Sequence, residues 1–355
     1  MGKVVGLAVV TLVLLMSGMA RAEPKTWEYA GGGQWPQVNA PATQASPDPT
    51  LDRAEQLIRS DQNKAAEKLA VQWLVSHKAD PQHDRGLFLL AQALYQYGDR
   101  IKSYYYLDEL MDEHPDSRLY GPALEMQYSI ADAYLNGYKR RFLGMPAFRA
   151  DDEAIEMLYR IQQRSPGSML AEKCLLRTAN YYFNDQQYDF ASDTYAAFMR
   201  TYPRSPQGPR VKLRYAYSLY AQFRGPKFDA SSVIDAREQM REVIAQYPKL
   251  ADEENIPELV SQLDRNLARK LYWTADFYRR TDQPRGAAYT YRYLAKAYPQ
   301  TPEGQKASLA MARLPEWAIA SSPEPAITPG FAPPSTPIEP PRIAPGGAIP
   351  VRSRQ

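Results

Sequence analysis

The chain has 355 residues, of which 44% are hydrophobic and 23% charged, with a formal net charge of +3. No basic run concentrates that charge, which argues against a nucleic-acid partner. One cysteine, Cys174, excludes an intrachain disulfide framework, so stability has to come from packing.

The first residues read as a secretory leader over 1–22. Lys3 supplies the positive start, Val4 to Met16 is an apolar run too short to span a bilayer, and Ala20-Arg21-Ala22 is an A-x-A cleavage signal. Met16-Ser17-Gly18-Met19 is similar to a bacterial lipoprotein box with methionine where the lipidated cysteine stands, so no lipid anchor is expected. Residues 23–49, rich in Gly, Pro, Ala and Gln, read as a disordered spacer.

From 50 to 317 one pattern recurs: a small residue, an apolar residue four later, and a proline eight after that. Ser103, Leu107 and Pro115 form one copy; Ala154, Leu158 and Pro166 a second; Ala191, Tyr195 and Pro203 a third. Ala236, Met240 and Pro248, then Ala287, Tyr291 and Pro299, continue the series. Ala66 and Ala70 form an earlier copy with Lys78 in the place of proline. Upstream of each lies a second helical signal. It is twelve residues back at Ala54, Ala91, Ala179 and Ala275, and further back at Ala131 and Ala216. Apolar residues three and four apart share a helix face, so each unit predicts two amphipathic helices. A small residue is needed where they cross, because a larger one would hold the backbones apart. The offsets match the roughly 34-residue tetratricopeptide pattern. The stretches 138–151 and 223–230, holding Gly144, Pro146, Gly225 and Pro226, are predicted to be inserted loops.

The predicted fold is therefore all-α: a right-handed superhelical solenoid of about six tetratricopeptide-like helix pairs, with a C-terminal capping helix near Thr301–Leu314. Residues 318–355 are Pro-rich and read as a disordered tail.

Candidate contact residues come from the helix faces. Tyrosine offers large area at small entropic cost, and Tyr104, Tyr181 and Tyr293 are placed toward a peptide groove, while Tyr182, Tyr278 and Tyr291 are assigned to packing. Arg177, Arg269 and Arg292 are candidates for pairing with acidic partners; the competing reading for all six is repeat packing or a solvated face. His77, His83 and His114 fall in or beside helix-ending turns, and His77 and His114 hold equivalent repeat positions. No H-E-x-x-H, C-x-x-C, phosphate-loop or G-x-S-x-G motif occurs. Asp151-Asp152-Glu153 opens a helix, where acidic residues complement the dipole. The expectation is a non-enzyme with no cofactor and no metal.

Beyond these patterns the chain resembles a known family. The run RNLARKLYWTADFY from Arg265 to Tyr278, then RGAAYTYRYL from Arg285 to Leu294 and AYPQTP from Ala297 to Pro302, is similar to the penultimate repeat of the BamD family of outer-membrane assembly lipoproteins. Tyr202-Pro-Arg-Ser-Pro206 and Gln246-Tyr-Pro248 resemble that family's helix-ending turns, and the resemblance spans about 50 to 317. It implies a periplasmic scaffold for β-barrel outer-membrane protein assembly, associated with the membrane only peripherally. The implied partners are a β-barrel insertase, held by the last repeats at roughly 255–317, and unfolded outer-membrane proteins nearer the first ones. The alternative is a general cell-envelope adaptor coordinating division, peptidoglycan and outer membrane. Such coordinators carry a trimerising coiled coil, and Glu23–Pro49 has no heptads.

Overall fold

The structure, a computed structural model, describes residues 48–142 and 145–325. The leader, most of the spacer and the tail beyond 325 lie outside the described residues. Helices appear in the expected order: α1 (Pro49–Arg59) and α2 (Asn63–Ser76), α3 (His83–Tyr97) and α4 (Arg100–Glu113), α5 (Tyr120–Leu135) and α6 (Asp151–Arg164). They continue with α7 (Met169–Asn184) and α8 (Tyr188–Thr201), α9 (Gly208–Ala221) and α10 (Ser231–Gln246), then α11 (Pro248–Glu253). The last are α12 (Ile256–Arg280), α13 (Pro284–Ala297), α14 (Pro302–Met311) and α15 (Glu316–Ala320).

The crossing residues behave as their size requires. Ala54, Ala66, Ala91, Ser103, Ala131, Ala154, Ala179, Ala191, Ala216, Ala236, Ala275 and Ala287 are all 0% exposed. At one crossing the contact is direct, because Ser103 Oγ donates to the Ala91 carbonyl at 2.7 Å. The fold is thus all-α in tetratricopeptide-like pairs.

Both ends of the pairs have a local cause. Helices α4, α8, α10 and α13 stop two residues short of Pro115, Pro203, Pro248 and Pro299. The residue before each proline leaves helical space: His114 sits at φ −128°, ψ 63°, and Tyr202, Tyr247 and Tyr298 lie close by. A proline ring disfavours helical backbone in its predecessor, so the helix ends there. Within the regular pairs the turn is made seven residues after the crossing alanine. There Asp61, Gly98, Gln186 and Asp282 adopt positive φ, of 59°, 91°, 62° and 55°. The next amide reaches back to the last turn: Gln62 N–H to Leu57 O, Asp99 to Leu94, Gln187 to Tyr182 and Gln283 to Tyr278, at 2.8–2.9 Å. This satisfies carbonyls that a helix end would otherwise leave unpaired.

Two expectations need correction. The predicted loop around 138–151 holds an antiparallel hairpin, β1 (Arg140–Phe142) with β2 (Met145–Phe148), paired Arg140↔Phe148 and Phe142↔Met145. Residue-level loop signals there gave no alternation to read. The boundary at 317 falls inside α15. Ala318 and Ser322 are buried, so order extends past the predicted end.

Among the described residues, contacts divide the chain into one unit up to residue 161 with 168–170 and another of 162–167 with the residues from 171 on. In the first, the core combines Leu51, Leu87, Leu90, Leu107, Leu110 and Leu124 with the buried aromatics Trp73, Tyr104 and Tyr134. In the second, one cluster joins α7, α8 and α9 through Ala179, Tyr195, Phe198 and Val211. A larger one runs from α9 to the chain's last helices through Met240, Leu263, Tyr291 and Leu294.

Candidate protein-docking surface

The six predicted contact residues do not gather on one face. Tyr104 on α4 and Tyr293 on α13 are buried, which corrects their assignment as groove residues. Tyr104 lies on the same stripe as Leu107, while its neighbour Tyr105 is 63% exposed and meets it edge-on with ring centroids 6.0 Å apart. Tyr293 is buried in the cluster that runs from α9 through α13, and burial first, then the neighbouring Tyr298, pushes its phenol up to about 12. Arg292 is also structural: its guanidinium donates to the carbonyls of Ile319 at 2.7 Å and Ser322 at 2.8 Å, tying α15 to α13. Tyr181 and Arg177 are half-buried one turn apart on α7, with Tyr181 tilted against Tyr182 at 5.8 Å. Arg269 is exposed on α12 and lies 3.8 Å from Glu303 of α14. As expected, Tyr291 packs in the core and Tyr182 and Tyr278 are half-buried.

The larger exposed apolar feature on α12 was missed. Trp273 and Phe277, one turn apart, stack at 6.5 Å and 15° and are 39% and 45% exposed. Phe228 in the α9–α10 connection is 55% exposed. That connection is anchored from α12 by Lys270, whose ammonium donates to the Phe228 carbonyl. Burial holds the Lys270 ammonium below its ordinary value, against the pull of Asp229. Lys227 lies 5.8 Å above the Trp273 ring. The spacing carried the signal: Trp273 and Phe277 lie on the side of α12 opposite the crossing residue Ala275, where a solvated helix would place charge.

Elsewhere on α12 lies a polar knot in the same unit. Arg237 of α10, buried, donates to Asp264 Oδ1 of α12 at 3.1 Å and to the Tyr298 hydroxyl at 2.7 Å. Arg241 reaches the other Asp264 oxygen at 3.4 Å. The knot ties α12 to α10 and to the residue that ends α13.

Two clefts add narrower features. In the first unit, Ile101, Tyr104, Tyr105 and Met157 line a small notch rimmed by Glu153, Glu156 and Arg160. Arg160 is held by Glu156 at 2.7 Å and Asp108 at 3.7 Å. In the second, Pro206, Pro209, Tyr247, Pro248 and Leu250 form an apolar floor of about 650 Å³ with Arg210 and Lys249 at its edge. Among the described residues, one group could converge on a metal ion: His83, Glu113 and His114 in the first unit.

Residues 149–314 match the family model of YfiO, described as outer membrane lipoprotein. Over these residues the chain is similar to the BamD-like outer membrane lipoproteins. The match starts at 149 rather than near 50, so it covers the last repeats, α12 included, and leaves α1–α5 outside it. Among solved structures, the C-terminal part of a TPR repeat-containing protein from Cytophaga hutchinsonii is similar at 12% identity and a TM-score of 0.31. The alignment covers 72% of this chain and 98% of that one. No curated protein matches the chain. Among the described residues, no helix is long and apolar enough to cross a membrane.

Proposed function

We propose that this BamD-like protein is a non-enzymatic periplasmic scaffold serving β-barrel outer-membrane protein assembly, and that α12 holds its principal partner. One observation carries the reading: the segment matched to the outer membrane lipoprotein family contains a long helix that keeps the stacked Trp273 and Phe277 exposed. Aromatic residues that bring large area at low entropic cost are the usual anchors of protein interfaces, and clustered exposed ones mark an interaction site. The partner is the soluble part of a β-barrel insertase, and unfolded outer-membrane proteins are the second class of ligand. The expected secretory leader and the peripheral envelope location belong to the same reading.

The test is in-cell photocrosslinking from position 273 in the full chain, with the exposed position 105 as comparison, followed by mass spectrometry of envelope fractions. Recovery of a β-barrel insertase from 273 supports the proposal. Recovery of division or peptidoglycan proteins in its place would establish the envelope-adaptor alternative.

A further inference from the structure

We propose that His83, His114 and Glu113 form a binding site for a divalent transition-metal ion, Zn2+ by the chemistry of the set. The sequence reading left these histidines as turn residues, because they stand 31 positions apart and fit no metal motif. The fold brings them together. Helices α3 and α4 run antiparallel through the Ala91–Ser103 crossing, so the first residue of α3, His83, faces the end of α4, where Glu113 and His114 lie.

His83 Nδ1 lies 3.0 Å from His114 Nε2 and 3.7 Å from Glu113 Oε2. Two imidazole nitrogens approach that closely only when they share a proton or a metal. One donor atom from each of the three residues lies within 4.8 Å of the other two. A single ion can therefore stand within about 2.8 Å of all three, and side-chain shifts of about 0.6–0.8 Å bring it to the about 2.0–2.2 Å of Zn–N and Zn–O bonds.

The surroundings are electronegative, as a cation site requires: Glu109, one turn before Glu113, adds a second carboxylate nearby. The last carbonyls of α4 add negative potential at the same end. His83 is buried, whereas half of the Glu113 side chain meets solvent, which gives the ion a route in. Two imidazoles and a carboxylate suit Zn2+ over the oxygen-seeking Mg2+ and Ca2+. Three protein ligands leave a fourth position for water, or for a carboxylate or imidazole of a bound partner. His77, the repeat equivalent of His114, is committed elsewhere: it stacks on Trp73 at 4.7 Å and contacts the Trp73 carbonyl at 2.9 Å.

The test uses the full mature chain, stripped of metal by dialysis and titrated with Zn2+ by calorimetry, with Co2+ as spectroscopic probe. The proposal predicts one equivalent bound and the intense visible bands of tetrahedral Co2+. Binding should weaken at least tenfold in His114→Gln and in Glu113→Gln and stay unchanged in His77→Gln. No stoichiometric Zn2+ binding by the wild type at micromolar concentration would overturn it, as would undiminished binding by His114→Gln. If a variant loses helicity, X-ray absorption on the wild-type complex decides: two imidazole ligands support the site, and none or one refutes it.

Discussion

The first two helix pairs and the last two solve the same packing problem by different means. In α1–α4 the crossings are Ala54, Ala66, Ala91 and Ser103, the turns are single left-handed residues, and charge stays at the rim. Arg85, for example, pairs with Asp52 at 2.7 Å and Glu55 at 2.9 Å while partly solvated. In α9–α13 the same small crossings recur, but a connection at 222–230 and the short α11 separate the helices. There a guanidinium is buried, with Asp264 and Tyr298 as its partners, and large aromatics stay exposed. Both regions add polar contacts between helices to the small apolar crossings. In α1–α4 the charged ones stay partly solvated, whereas in α9–α13 one is buried, and the long helix it joins also carries the candidate interface.

The comparison can be broken most severely at its polar side. Asp264→Ala leaves Arg237 buried without its carboxylate and is expected to destabilise the protein by about 3 kcal/mol, read as a fall in denaturation midpoint. An Arg85→Ala change in the solvated rim network should cost well under half of that. Next, Ala91→Leu and Ala287→Leu put the same bulk into equivalent crossings of the two regions. Each should cost roughly 1–3 kcal/mol by overpacking, and a midpoint unchanged at either position would show that its helices do not cross there.

A smaller effect belongs to Asp48, which caps α1 by accepting from Thr50 N–H at 2.7 Å and also binds Trp73 Nε1 at 2.9 Å. Burial pushes its carboxyl up, but the hydrogen bonds from Trp73, Leu51 and Thr50 outweigh this and hold it below the ordinary value. A depressed carboxyl stabilises above its unfolded pKa and loses that contribution as pH falls through the folded one. Asp48→Ala should therefore cost about 1 kcal/mol at neutral pH, and its difference from wild type should shrink as pH drops below about 4, measured by denaturation across pH. The smallest expected change is a gain. Gln186 occupies the left-handed turn position that Gly98 fills in the earlier pair, so Gln186→Gly should raise stability by about 0.5 kcal/mol.

The pairs were legible because a backbone crossing tolerates only small side chains, and Ala or Ser at fixed offsets records each one. The turns were not, since Asp61, Gln186 and Asp282 take a conformation that glycine would have advertised. Helix α15 was hidden in a Pro-rich run and is held by Arg292, a contact between distant residues. Tyr104 was readable, because three residues before Leu107 is the buried stripe; attention to the triple tyrosine obscured that phase. Tyr293 was not readable from α13 alone, since its burial depends on packing against residues distant in the chain, among them Arg237 of α10. Trp273 and Phe277 lay inside the very run that carried the family resemblance, on the face opposite Ala275.

The outer face of α12 is where the partner is expected to bind. The direct measurement is the affinity of the mature protein for the soluble domains of a β-barrel insertase, compared with Trp273→Ala and Phe277→Ala variants of matched helicity. We predict a specific complex that weakens at least tenfold in each variant, as removal of a central aromatic anchor does. Equal affinity in wild type and variants, or no complex with wild type, would contradict it.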